Sequence, residues 1–324
     1  MKISKKSKIL LIPLNGIGDN LAFLPLAYNL KKQLKNIQIT ILSNQTNGAS
    51  EIMRFSPYVD KIVKFNFRGN VYTFKEYVKF YIWEFWKISS KLKKENFDYL
   101  FTINPNFLIK TFIFLLNIKN TIQIKNKEEN QNQTILKLLD KVQISQIYAP
   151  KNLLKLPDET KILQKHKLHK KKYIVINPYG SIKTKGIKIN KAFLMDVQKI
   201  NPELQIVIIG KEKDHIKLKK VIDVVNQTSL AEAGKIIENA KLFITVDGGL
   251  MHLGIAMQVP IIAIFKVIHS KYHLPIDYPV TFKTIDVLDP KQSFSKLGKN
   301  IQETYKNDKA ILKSILSIIK TKNG

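Results

Sequence analysis

The chain of 324 residues contains no cysteine. That excludes disulfides, thiolate metal sites and cysteine nucleophiles, and it suits a reducing compartment. Arginine is nearly absent: Arg54 and Arg68 are the only two, while the formal charge is +29. The cationic surplus is therefore lysine. Proteins that read nucleic acid favour the planar arginine fork for phosphates and bases, so the charge is a poor argument for nucleic-acid binding. A surplus of Lys, Ile and Asn over Arg is also what an AT-rich coding composition produces. The field such a chain carries still attracts phosphorylated or lipid anions. No run reaches the roughly 18 to 20 apolar residues needed to span a bilayer. The nearest, Phe107 to Ile118, is short and carries Lys110. The apolar stretch Ile9 to Leu14 is too short for a signal segment and is broken by Asn15-Gly16-Ile17-Gly18-Asp19-Asn20. Short-period repeats and low-complexity blocks are absent as well.

What is present is an alternation of strand and helix patterns. In the first half, strands are expected at Ile9 to Leu14, Ile37 to Ser43, Lys61 to Phe65 and Phe97 to Ile103. Helices are expected at Asp19 to Lys35, Ala49 to Phe55 and Thr73 to Lys94. After a polar, basic stretch from Ala149 to Lys172 the alternation restarts. Strands then fall at Tyr173 to Asn177, Gln205 to Ile209, Lys241 to Val246 and Val259 to Phe265. Helices fall at Lys191 to Ile200, Leu230 to Asn239 and Lys309 to Lys320, the second with Ser229 and Glu232 as a capping box. Such alternation means βαβ units and parallel, doubly wound sheets. A chain of this length is expected to split, here into residues 1–155 and 156–324, two Rossmann-like domains with parallel sheets facing a central cleft. The closing helix 309–320 has the option of packing back toward the N-terminal domain.

Three loops at carboxyl ends of expected strands carry the chemistry, because open α/β sheets bind ligands there. In Gly16-Ile17-Gly18-Asp19, the glycines turn the chain into a helix and Asp19 stands at its N-terminus, either as a cap or as a general base. Leu21 occupies the place of the third glycine of a dinucleotide fingerprint, which is therefore missing. In Asn177 to Lys185, a turn offers Ser181, Thr184 and Lys185, groups suited to a diphosphate, without Walker spacing. In Asp247-Gly248-Gly249-Leu250-Met251-His252, a carboxylate and a glycine turn open a helix whose N–H groups form an anion site. His252 has no second ligand at helical spacing, so no metal is expected.

These loops, in this order and spacing, resemble glycosyltransferase family 9, the lipopolysaccharide heptosyltransferases. Gly18-Asp19-Asn20-Leu21 with Pro25 matches that family's N-terminal G-[DE]-x-[LV]-x-x-x-P. Asn177-Pro178 with Ser181 and Lys185 matches N-P-x-x-S-x-x-x-K, and Asp247, Gly249, His252, Leu253 and Ala256 match D-[ST]-G-x-x-H-L-A-x-A. Gly248 departs by standing where the family has a hydroxyl residue, and Gly254 stands where a small residue follows His-Leu. The resemblance implies a GT-B fold and an inverting, metal-independent sugar transfer without cofactor, most simply of heptose from ADP-heptose onto a lipopolysaccharide core or related envelope glycan. It implies an acceptor-binding N-terminal domain with Asp19 as base. It also implies a donor-binding C-terminal domain in which Ser181, Thr184, Lys185, Asp247, Gly248, Gly249 and His252 face the diphosphate and sugar, and Asp214 the ribose. Arg68 and Lys75 are candidates for acceptor phosphates.

The partners it implies are a nucleotide-sugar and an anionic, lipid-linked or oligosaccharide acceptor, at the cytoplasmic face of the inner membrane and with peripheral membrane association. The segment Val71 to Lys94, rich in aromatics and lysines, reads either as a helix packed on the first sheet or as an interfacial one. Alternatives are a GT-B enzyme with another nucleotide-sugar, a nucleotide-sugar-binding or epimerase-like protein that transfers nothing, and a basic nucleic-acid binder.

Overall fold

The computed structural model describes residues 3–4, 6–13, 16–45, 48–65, 83, 85–105, 107–125, 130–146, 153–157, 160–180, 185–212, 221–275, 278–287 and 308–321. The chain forms two compact units, Met1–Lys155 and Leu156–Gly324.

In the first unit the described elements run β1 (Lys8–Ile12), α1 (Ile17–Ala22), α2 (Leu24–Gln33), β2 (Gln38–Asn44), α3 (Ala49–Met53) and β3 (Lys61–Phe65). They continue with α4 (Trp86–Lys93), β4 (Tyr99–Ile103), α5 (Phe107–Leu116), β5 (Asn120–Ile124) and α6 (Gln131–Asp140). The sheet order is β3-β2-β1-β4-β5, and every pairing is parallel. Strand order reverses between β1 and β4, which makes that gap the topological switch point of a doubly wound sheet. The helix expected from Asp19 to Lys35 is two helices. Pro25 has no N–H to give Leu21, so α1 closes with a tight Phe23 N–H to Asn20 carbonyl bond of 3.2 Å and α2 starts afresh. Of the helix expected from Thr73 to Lys94, residues 73–82 and Glu84 lie outside the described residues; the described helical part is α4.

The second unit runs α7 (Thr160–Lys165), β6 (Tyr173–Asn177), α8 (Lys191–Ile200), β7 (Gln205–Ile208), β8 (Val221–Asp223) and α9 (Leu230–Glu238). Then follow β9 (Leu242–Val246), α10 (Gly249–Ala256), β10 (Ile261–Phe265), β11 (Phe282–Asp286) and α11 (Asp308–Thr321). Its sheet order is β11-β10-β9-β6-β7-β8, again all parallel, with the switch point between β6 and β9. The capping box at Ser229 forms: Ser229 N–H donates to Glu232 Oε2 at 2.7 Å, and Glu232 N–H to Ser229 Oγ at 3.2 Å. The apolar face of α11, through Ile311, Leu312, Ile315 and Ile319, belongs to the core of this unit together with Phe193, Leu194 and Val197 of α8.

Both sheets are apolar along their central strands. Tyr99–Ile103, Tyr173–Asn177, Leu242–Val246 and Ile261–Phe265 are buried at every residue, the pattern of strands covered by helices on both faces.

Candidate functional site

The first unit places Asp19 at its switch point. β1 ends at Ile12 and α1 begins at Ile17, with Asp19 in its first turn. Asp19 Oδ2 accepts the Gly16 N–H at 2.8 Å. Gly16 leaves room for that carboxylate, since a Cβ there would sit 2.8 Å from Oδ2. The other oxygen, Oδ1, accepts from Gln131 Nε2 at 2.8 Å, a donor 112 residues away on the first turn of α6. The buried Asn20 supports the same turn by donating to the Gly16 carbonyl at 2.8 Å. Asp19 thus does what an acid at a helix start does, yet it is half-buried and held from both sides, with lone pairs left on each oxygen.

The second unit brings two of its loops together at the β6/β9 switch point. Asp247 follows β9 directly, and its N–H is tied to the Ile264 carbonyl at 2.9 Å. Lys185 Nζ donates to Asp247 Oδ2 at 2.5 Å, with the Asp247 side chain only 6% exposed and that of Lys185 20%. Burial alone would raise the Asp247 carboxyl. The positive charge of Lys185, then His273, the Lys185 hydrogen bond and His252 outweigh it, so its pKa lies below the ordinary value of 3.8. The group is therefore a carboxylate throughout the neutral range.

Gly248 caps α10, and the helix begins at Gly249, so its unpaired first-turn N–H groups open beside this pair. Gly248 has an extended backbone, φ 167°, and nothing lies within 4 Å of a Cβ built there. The glycine is thus not required by conformation; it leaves open space where the family carries a hydroxyl. His252, one turn into α10, is buried, and its ring meets that of His273 edge-on at 5.8 Å. At the end of β6, the Asn177 amide bonds Thr245 Oγ1 at 3.1 Å, locking the strand that leads to Lys185 against β9.

Three contributors were invisible in the sequence. Gln131 and His273 reach their positions only through tertiary folding. The third is Lys266, just past β10, whose side chain is 0% exposed. Its Nζ donates to the Gly186 carbonyl at 2.8 Å and to Asp308 Oδ1 at 2.9 Å, while Asp308 Oδ2 accepts the Lys188 N–H at 2.9 Å. This buried pair pins the segment carrying Lys185 to β10 and to the start of α11. In a chain of lysines, no sequence signal separates Lys266 from its solvated neighbours.

The structure therefore assembles Lys185, Asp247, Gly248, Gly249 and His252 in one unit and places Asp19 in the other. Ser181, Thr184, Asp214, Arg68 and Lys75 lie outside the described residues. Among the described residues, no group of three or more His, Asp or Glu stands close enough to hold a metal ion.

Two units, each built on a doubly wound parallel sheet, are the architecture of the GT-B class of glycosyltransferase folds. The sequence model of glycosyltransferase family 9 (heptosyltransferase) matches residues 113–296, more than half of the chain, and the chain belongs to that family. It is a glycosyltransferase. Among solved structures it is similar to the family 9 glycosyl transferase from Veillonella parvula, at 14% identity over 97% of each chain with a TM-score of 0.75. It is also similar to the E. coli ADP-heptose lps heptosyltransferase II, at 16% identity over 95% of this chain and 99% of that one, with a TM-score of 0.67. A third is the dodecameric iron-containing heptosyltransferase TibC, in complex with ADP-D-beta-D-heptose, at 11% identity over 99% and 77% of the two chains, TM-score 0.57. At these identities the likeness speaks for the fold. No curated protein matches by sequence.

Proposed function

We propose that this enzyme transfers a heptose from ADP-heptose, with inversion, onto a lipopolysaccharide core or a related envelope glycan. The observation that carries the donor side is the Lys185–Asp247 pair at the open N-terminus of α10. In the unliganded enzyme Asp247 holds Lys185 in place. An arriving diphosphate, bearing more charge than one carboxylate, takes over the ammonium group, and Asp247 turns to sugar hydroxyls. The acceptor hydroxyl oxygen attacks the anomeric carbon and its proton passes to Asp19. The bond from that carbon to the diphosphate oxygen breaks with its electron pair. The charge that develops on the leaving group meets Lys185, the first N–H groups of α10 and the imidazoles of His252 and His273, so the step needs no metal.

In this reading the C-terminal unit takes the donor and the N-terminal unit the acceptor. Ser181 and Thr184 add hydroxyls to the diphosphate cradle, Asp214 takes the ribose, and Arg68 and Lys75 take acceptor phosphates. The acceptor is lipid-linked, and the enzyme works as a peripheral protein at the cytoplasmic face of the inner membrane. Gly248 supports one second reading: with no hydroxyl at that place, the pocket suits a donor sugar other than heptose.

The test separates base from binding. Asp19→Asn keeps an oxygen for the Gly16 N–H but has no basic carboxylate. Transfer is expected to fall at least about 1000-fold, a loss on the upper side of general-base contributions. The thermal shift given by ADP or ADP-heptose should stay that of the wild type. A variant that turns over at the wild-type rate would sink the assignment of Asp19. A larger shift with another nucleotide-sugar than with ADP-heptose would move the donor to the second reading.

A further inference from the structure

Among the described residues of the first unit, four large aromatic side chains lie in solvent: Trp83 at 73% exposure, Trp86 at 58%, Phe107 at 70% and Phe114 at 81%. Three belong to α4 and α5, and Trp83 stands just before α4. The two helices cover the same side of the sheet. Phe85, Ile88 and Leu92 share one buried cluster with Ile109, Phe112 and Leu116, and the rings of Phe85 and Phe112 lie 4.3 Å apart. The inward faces are thus satisfied, and the exposed aromatics are a second, outward apolar face of the same helix pair. On α5, Phe107 and Phe114 are seven residues apart, which puts them on one stripe, with the exposed Lys110 between them. On and beside α4, Lys87, Lys91 and Lys94 are exposed. Neither helix contains an acidic residue.

Topology fixes where this face lies. α4 leads into the start of β4, so its first turn, with Trp86, points toward the carboxyl edge of the sheet. α5 begins a few residues after β4 ends, so Phe107 stands at that same edge. Asp19, in the helix after the neighbouring strand β1, is at the carboxyl edge too.

We propose that this face is a docking surface for an anionic lipid bilayer, on which Trp83, Trp86, Phe107 and Phe114 enter the headgroup zone while the surrounding lysines meet lipid phosphates. Exposed apolar area of this kind on a soluble unit marks a contact surface. Tryptophan and phenylalanine interleaved with lysine on two helices that carry no acid of their own is the composition of an interfacial face. A protein partner fits less well, because protein interfaces exclude lysine from their centres. A second copy fits least, because a two-fold contact would set this cationic face against itself. The proposal deepens the reading of Asp19 as the acceptor-side base: it brings the bilayer holding a lipid-linked acceptor to the edge where Asp19 lies.

The chain has just two tryptophans, and both are on this face, so intrinsic fluorescence reports it without a label. The full-length enzyme is titrated with vesicles of phosphatidylcholine, or of phosphatidylcholine with phosphatidylglycerol, with neither donor nor acceptor present. The expected result is a blue shift with the anionic vesicles alone, weakened by salt, and quenching by brominated acyl chains. The double variant Phe107→Ser/Phe114→Ser should keep its melting temperature and bind anionic vesicles at least about tenfold more weakly, given the apolar area removed. No shift with either vesicle overturns the proposal. A blue shift that follows protein concentration without vesicles also overturns it, in favour of a second copy. Because no step reads turnover, an enzyme that transfers sugar to a soluble acceptor yet shows no shift refutes the docking surface and leaves the transferase reading standing.

Discussion

Lys185 and Asp247 illustrate at the residue scale why neither could be buried alone. An unpaired charge so far from water costs several kcal/mol, and removing one partner of a buried pair costs roughly 3 kcal/mol. The pair also leaves a signature in pH. The folded pKa of Asp247 is depressed, so its contribution to stability is complete above the ordinary value of 3.8 and is lost as pH falls through the lower folded value. In Lys185→Met, burial, which is the largest influence on this carboxyl, has its main opponent removed. The difference in unfolding free energy between wild type and variant should be largest near neutrality, and it should shrink as the pH falls from the variant's raised carboxyl value to the wild type's lowered one, on either side of the ordinary carboxylate range. Urea melts at stepped pH read this directly, and a difference that stays constant down to strong acid would mean the pair is not the source. The variant should also show a raised KM for the donor.

At the element scale, α10 shows how one short helix serves both core and site. Its first residues face the open end of β9 while its body is buried. Gly254 lies so close to β9 and β10 that a Cβ would meet Phe243 Cδ1 at 2.8 Å and Ile261 Cδ1 at 3.1 Å. Gly254→Ala should therefore lower stability by about 1–3 kcal/mol through overpacking. Gly248→Ser, six residues earlier, has free space and an unstrained backbone and supplies a good cap. Its melting temperature should match or slightly exceed that of the wild type, so any change in donor preference is a change in chemistry. Calorimetry of the two variants in parallel would expose an error in either assignment. The same helix shows what was legible in the sequence. Strong strands such as Tyr173–Asn177 and helices such as Lys191–Ile200 stand where periodicity put them. Glycine turns after strands pointed to Asp19 and Asp247. A proline two residues into α2 was enough to split a helix that the apolar spacing alone runs together. Gln131, His273 and Lys266 could not be read in advance, because each earns its place from a contact between segments far apart in the chain.

Over the whole molecule, the same winding is used twice. In each unit the strand order turns at the first strand, and in each the candidate residues follow the strands flanking that turn. The resemblance of three short motifs to one family therefore has a geometric basis: each motif sits where a doubly wound sheet leaves its loops apart. The charge of +29 has a different standing. Among the described residues many lysines are exposed, while Lys185 and Lys266 are largely buried and fixed by their partners. That division has a consequence for covalent labelling. An amine-acylating reagent applied to the native enzyme should consume the surface lysines quickly and reach Lys266 only when the second unit opens, so its acylation rate, followed by peptide mass mapping, measures that opening. An ammonium group hidden while its described fellow lysines keep some exposure makes Lys266 a built-in clock for the loosening of the donor-side fold.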